Sequence, residues 1–110
     1  MEIEYNSRKL GELCTSLAKA TRKHGASLAK RLRKRITQLV AVEKLGDLQR
    51  LGRCHSLKGE MKGLFAVRVN DGLRIVFKPI DDPLPISRDG SVDWMNIRRI
   101  LIIAVEDYHG

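Results

Sequence analysis

The stretch that decides the fold runs Leu64-Phe65-Ala66-Val67-Arg68-Val69-Asn70-Asp71-Gly72-Leu73-Arg74-Ile75-Val76-Phe77-Lys78. Two runs rich in β-branched and aromatic residues flank Asn-Asp-Gly, which reads as a β-hairpin. Its register can be argued. A two-residue loop at Asp71-Gly72 pairs Val69 with Arg74 and Val67 with Val76, which mixes the faces. A three-residue loop pairs Val69 with Leu73, Val67 with Ile75 and Phe65 with Phe77, which gathers one apolar face. A slip of one residue moves every side chain to the other face. The three-residue loop is therefore expected, with Gly72 in the left-handed conformation. This register sets Arg68 opposite Arg74, with Lys78 beyond. Facing cations repel, so the pair implies an anion placed there.

Downstream of the hairpin, Asp81 to Asn96 is rich in Pro, Gly, Asp and Ser and reads as a long loop. Loops of that length are usually functional or mobile. Within it, Trp94 and Met95 are expected as a hydrophobic plug. Ile100 to Val105 is apolar without alternation, which predicts a central strand covered on both faces. Upstream, Glu2 to Tyr5 alternates as a short strand does. A helix is expected from Asn6, with Leu10, Leu13, Cys14, Leu17 and Thr21 at helical spacing and Gly25 as its stop. A second is expected from an N-cap at Ser27. Its apolar stripe is Leu28, Leu32, Ile36, Leu39 and Val40, and Gly46 ends it. Asp47 then caps a short turn over Leu48-Gln49-Arg50-Leu51. The resulting order is β-α-α-β-β-β. This is an α+β fold in which a helical hairpin packs on a small, mainly antiparallel sheet. The 110 residues form one domain, 1–110, with 81–97 as a long inserted loop.

Charge is unevenly spread. The chain carries a net +8; residues 1–60 hold 14 Lys/Arg against 6 Asp/Glu, and residues 61–110 hold 7 against 7. Such a field favours a polyanionic partner, but charge alone does not say which. The basic residues Lys30, Arg31, Lys34 and Arg35 of the second helix are the expected RNA or ribosome surface, against the plainer reading of a solvated face. No apolar run reaches the length of a membrane span, and Met1-Glu2-Ile3-Glu4-Tyr5 is no signal peptide. Cys14 and Cys54 lie in neither metal-ligand nor redox spacing and read as reduced thiols of a cytoplasmic protein.

Three groups carry potential chemistry: His55 with Lys58, Arg68 with Arg74, and Asp107-Tyr108-His109. Imidazoles, a phenol, a carboxylate and fixed cations suit cleavage of RNA without metal or cofactor. A base deprotonates the ribose hydroxyl, cations stabilise the phosphorane, and an acid protonates the leaving oxygen. Taken singly, each has a plainer explanation. His55, read in a loop, is more often an exposed or capping residue, His109 a tail, and the two arginines a solvated strand face.

The segments Arg53-Cys54-His55-Ser56-Leu57-Lys58-Gly59, Gly63 to Val69, Leu73-Arg74-Ile75-Val76-Phe77 and Val105-Glu106-Asp107-Tyr108-His109 together resemble the HigB branch of the RelE/ParE toxin superfamily. The long loop resembles that of members described as plasmid-maintenance "killer" proteins. The resemblance implies a RelE-like fold and a ribosome-dependent endoribonuclease that cuts translated mRNA. It also implies a cognate helix-turn-helix antitoxin, through which alone operator DNA is bound. By motif position it assigns His55, Lys58, Arg74, Asp107, Tyr108 and His109 to the active site; Arg68 is added from the register. In that scheme His55 and His109 transfer protons, while Lys58, Arg68 and Arg74 hold phosphate. Tyr108 stacks on a base or orients a proton-transfer group, and Asp107 orients a histidine. The alternatives are a non-enzymatic basic RNA- or protein-binding module, or a gyrase-directed toxin. The His55 and Asp107-Tyr108-His109 set argues against the last, because poisoning gyrase needs no RNA-cleaving site.

Overall fold

A computed structural model describes residues 1–51, 54–57, 59–70 and 72–107, with the side chains of 49–51 left aside. The elements run β1 (Glu2–Tyr5), α1 (Arg8–Thr15), α2 (Leu17–His24), α3 (Ala26–Ala41), a 3-10 segment (Leu45–Leu51), β2 (Cys54–Ser56), β3 (Phe65–Arg68), β4 (Leu73–Pro79) and β5 (Arg99–Asp107). The strands form one sheet in the order β1-β5-β4-β3-β2. Only β1 and β5 run parallel; the other neighbours are antiparallel. The α+β expectation holds, with one more helix and one more strand than expected.

The extra helix arises at Ser16. Its backbone N–H donates to Glu12 O at 2.8 Å and ends α1. Its hydroxyl accepts from the Lys19 N–H at 3.3 Å and starts α2. A serine that caps in both directions breaks the single helix expected from Asn6 into two. Gly25, at φ 85°, then turns the chain into α3. Only a residue without Cβ adopts that value at no cost, so α3 starts at Ala26 rather than behind a Ser27 cap. It also ends earlier than expected, at Ala41, because Val42 is extended. Val40, expected in the apolar stripe, is 55% exposed. The Met1 ammonium lies at the end of α3 and donates to Val40 O at 2.9 Å, offsetting the negative end of the helix dipole.

The hairpin register is as expected: Phe65 pairs with Phe77, Val67 with Ile75 and Arg68 with Arg74. The φ of Gly72 depends on Asp71, which lies outside the described residues. Phe65, Val67, Leu73, Ile75 and Phe77 join Leu13, Leu32, Leu39 and Ile100 in the core between sheet and helices. Each such side chain, once fully buried, contributes about 1.5–3 kcal/mol. β5 is central, between β1 and β4, but is not covered equally on both faces as expected. Ile100 and Ile102 are buried, whereas Leu101 and Ile103 are half-buried. One irregularity interrupts β5. Val76 pairs with Ala104 but Phe77 with Ile102, so Ile103 is an extra residue.

The 81–97 segment is a pinned loop. The Asp81 carboxylate accepts from the backbone N–H groups of Arg98 and Arg99 at 2.9–3.2 Å. Ile86 and Val92 form a bridge around the turn at Asp89-Gly90. Trp94 packs on Phe65, ring centroids 6.3 Å apart, as a plug does. Its neighbour Met95 is 39% exposed, so only half of that expectation holds. The loop meets the 3-10 segment at Gly46, where an added Cβ would stand 2.7 Å from Met95 O. Among the described residues no helix is long and apolar enough to cross a membrane.

Candidate active site

The sheet has two faces, and the register sorts the chemistry onto one of them. Odd-numbered residues of β3 and β4 face the helices. Ala66, Arg68, Arg74 and Val76 face away, and His55 joins them by pairing with Ala66. Ala66 and Val76 are buried, yet neither belongs to the core that the helices close. The outer face is therefore covered in its own right. The segment between β2 and β3 contributes, because Met61 Sδ lies 3.8 Å from Arg74 Nη2.

His55 sits in β2, an edge strand, rather than in a loop. It is exposed, as is Arg68. With strands about 4.8 Å apart and a rise of about 3.3 Å per residue, the backbones of His55 and Arg74 stand about 12 Å apart. Side chains from both can reach one phosphodiester between them.

Arg74 is engaged within the chain. Its Nε donates to Glu106 Oε1 at 2.7 Å, and its Nη2 forms an ion pair with the same oxygen at 2.6 Å. The anion expected beside Arg68 and Arg74 is thus supplied, for Arg74, by a carboxylate on β5. Glu106 escaped sequence reasoning because only the β4–β5 register places it opposite Arg74. Asp107 pairs with Leu73 and so falls on the helix side of the sheet by alternation, apart from Arg68 and Arg74. Lys58, Tyr108 and His109, assigned to the site from sequence, lie outside the described residues.

The basic surface of α3 is smaller than expected by one residue, Arg35. Lys30, Arg31 and Lys34 are exposed on α3. Arg35 is 5% exposed and donates from Nη1 to Gln38 Oε1 at 2.5 Å. Its position, next to Ile36 and three residues from Leu32, turns it toward the core, where its long stem packs as an apolar chain does. It is no part of an RNA-facing surface. Burial pushes the thiols of Cys14 and Cys54 up to about 11, so Cys54, beside His55, stays protonated and is a poor nucleophile.

No family model matches the chain. It is 35% identical over 63 residues to Toxin YoeB of Streptomyces coelicolor, a match covering 57% of this chain and 75% of that protein. The chain belongs to the YoeB toxin family. Solved structures agree in fold. The YoeB/ParE toxin from Agrobacterium tumefaciens superposes with a TM-score of 0.54 at 12% identity, over 98% of this chain and 99% of that one. The YoeB-YefM complex from Staphylococcus aureus gives 0.56 at 17%, over 98% and 97%. YafQ from E. coli strain BL21(DE3) gives 0.55 at 16%, over 98% and 93%. At such identities these show a shared RelE/YoeB-type fold and nothing finer. The expected RelE/ParE superfamily therefore holds in its YoeB-like form. The names YoeB, ParE and YafQ lend no support to the narrower HigB branch.

Proposed function

We propose that this YoeB-family chain is the toxin of a type II toxin-antitoxin pair and an endoribonuclease that cuts mRNA on the ribosome in the cytoplasm. The observation that carries the reading is the outward face on which His55, Arg68 and Arg74 stand together, in a chain related to a toxin. His55 and His109 are the proton-transfer pair. One takes the proton of the ribose 2′-hydroxyl as its oxygen attacks the adjacent phosphorus; the other protonates the departing 5′-oxygen. Lys58, Arg68 and Arg74 stabilise the added negative charge of the phosphorane. No metal or cofactor enters this scheme. Tyr108 stacks on a base or orients a proton-transfer group, and Asp107 orients a histidine from the strand end. The exposed Lys30, Arg31 and Lys34 contact RNA of the ribosome. A helix-turn-helix antitoxin is the neutralising partner and the only route to operator DNA. The existence of a YoeB-YefM complex supports a protein partner, without bearing on its DNA-binding fold.

The test is induction in a bacterial host, with primer extension on mRNA. Wild type is expected to arrest growth and leave discrete cuts; His109→Ala at equal expression is expected to do neither. Arrest by His109→Ala overturns the site. The engagement of Arg74 by Glu106 favours one second reading, a non-enzymatic RNA- or protein-binding module. RNA bound with steep salt dependence and left intact selects it.

A further inference from the structure

One row of the sheet carries three charges in a line. Arg68 on β3 stands opposite Arg74 on β4, and Arg74 stands opposite Glu106 on β5. Adjacent strands lie about 4.8 Å apart, so Arg74 sits between a like charge and an opposite one. Repulsion from Arg68 and attraction to Glu106 act in the same direction and draw its guanidinium toward β5. The contacts agree. Nε donates to Glu106 Oε1 at 2.7 Å, Nη2 lies 2.6 Å from that oxygen, and the Met61 sulfur lies 3.8 Å from Nη2. A carboxylate from the sheet and a thioether from the short turn Gly59–Met61 thus meet on one edge of the guanidinium.

A carboxylate is an odd component of a face that meets RNA. Its negative charge beside Arg74 weakens the pull of that cation on a phosphate. A position selected for attraction alone would carry a neutral or basic residue. What Glu106 provides is orientation. An arginine side chain is long and turns about several bonds, whereas a cation stabilises a phosphorane only where the developing charge appears. A displacement of about 1 Å can cost a hundredfold in rate. A guanidinium held at Nε and Nη2 keeps its plane and its charge together.

We propose that Glu106 is a positioning residue for RNA cleavage: it fixes the Arg74 guanidinium for the phosphorane and, in doing so, weakens the attraction for uncut RNA. The role rests on the endoribonuclease reading above. Affinity is exchanged for rate, since only interactions that strengthen in the transition state accelerate the chemical step. Removing the carboxylate therefore moves binding and catalysis in opposite directions. Loss of folded protein does not produce that signature.

The experiment uses the whole chain in excess over ribosomes programmed with a defined mRNA. It reads the maximum cleavage rate and the half-saturating concentration of the chain. Glu106→Ala is expected to lower the maximum rate about tenfold. It is also expected to lower the half-saturating concentration by about two- to fivefold, the worth of one partly exposed charge pair. Glu106→Gln keeps an acceptor oxygen for Arg74 and drops the charge. It is expected to tighten binding equally and to hold the maximum rate within about threefold of wild type. Glu4→Ala, which removes a carboxylate from β1 on the other side of β5, is expected to leave the maximum rate unaltered. A partly unfolded variant raises the half-saturating concentration and keeps the rate, so that pattern in Glu106→Ala overturns the proposal. Equal loss of rate in Glu106→Gln and Glu106→Ala overturns it too, by making the carboxylate itself a reacting group. Nitrogen-15 NMR reads the hold directly. The Arg74 Nε–H signal is expected to be exchange-protected in wild type and Glu106→Gln and lost in Glu106→Ala; its persistence there overturns the hold. Wild type that cuts nothing overturns the toxin function and this role with it. Wild-type cutting matched by Glu106→Ala overturns this role alone.

Discussion

Arg74 donates from Nε to one oxygen of Glu106 on the neighbouring strand, and its Nη2 lies 2.6 Å from that same oxygen. The side-on contact uses one edge of the guanidinium and fixes its plane. Both partners are partly withdrawn from water, at 18% and 35% side-chain exposure. A pair in that position is worth about 1 kcal/mol, more than an exposed one.

Glu106→Ala is therefore expected to lower unfolding free energy by about 1 kcal/mol, measured by urea denaturation. Arg74→Ala is expected to reduce mRNA cleavage about a hundredfold or more, the usual cost of losing a cation aimed at developing charge. Arg74→Lys is expected to rescue little, because an ammonium has no planar fork. Near-wild-type cutting by Arg74→Lys contradicts that role.

Gly46 faces the loop that the sequence marks as an insertion. Gly46→Ala sets a methyl 2.7 Å from a main-chain oxygen, that of Met95. A backbone atom cannot rotate away, so a loss of about 1–3 kcal/mol is expected, as for overpacking. Met95→Ala in the same chain is expected not to restore it. Full rescue by that second change assigns the clash to the side chain instead.

The helix α3 separates charge that serves the surface from charge that serves the fold. Arg35→Ala is expected to cost about 2–4 kcal/mol through lost packing and a stranded Gln38 partner. Lys30→Glu, Arg31→Glu and Lys34→Glu are each expected to stay within about 0.5 kcal/mol of wild type. If those residues meet ribosomal RNA, the three changes together weaken growth arrest while melting curves stay put.

His24 gives the fold a pH response. Burial first, and the charge of Lys23 second, hold its imidazole below the ordinary value. Its Nε2 is buried without a hydrogen-bond partner among the described residues. The unfolded chain therefore binds the proton more readily than the folded one. Stability is full above the unfolded pKa of about 6.5 and falls as pH drops through it. Urea midpoints at pH 7.5 and 5.5 are expected to differ more in wild type than in His24→Gln. Parallel lines for the two proteins contradict the assignment.

The hairpin was readable because period two leaves only one register with a clean apolar face, from Phe65 to Phe77. β1 was readable for the same reason. β2 was not, since Cys54-His55-Ser56 is too short for any period and is a strand only because β3 lies beside it. The break at Ser16 was hidden by apolar spacing that continues through Leu17; the signal available was a serine with hydrogen-bonding capacity in mid-helix. Arg35 was misplaced because a charged head suggests solvent, while its stem and neighbours decide its side. Of the site, residue types and the shared face of Arg68 and Arg74 were legible, and the sides taken on β5 were not. Asp107 and Glu106 are neighbours in sequence that the sheet sends to opposite sides.

That division traces to the extra residue at Ile103. Before it, even-numbered positions of β5, Ile100 and Ile102, point to the helices; after it, the odd ones do. Strand alternation works as a parity count, and Ile103 changes the parity once. Were Ile103 to pair with Val76 instead, the register would slip by one, setting Glu106 opposite Leu73 on the helix side and turning Asp107 outward. At position 103, then, side-chain identity is a lesser constraint than staying unpaired. Substitutions preserve the arithmetic on which the charged face depends, deletion of Ile103 straightens the strand and keeps Glu106 opposite Arg74, and only a slip of register inverts it.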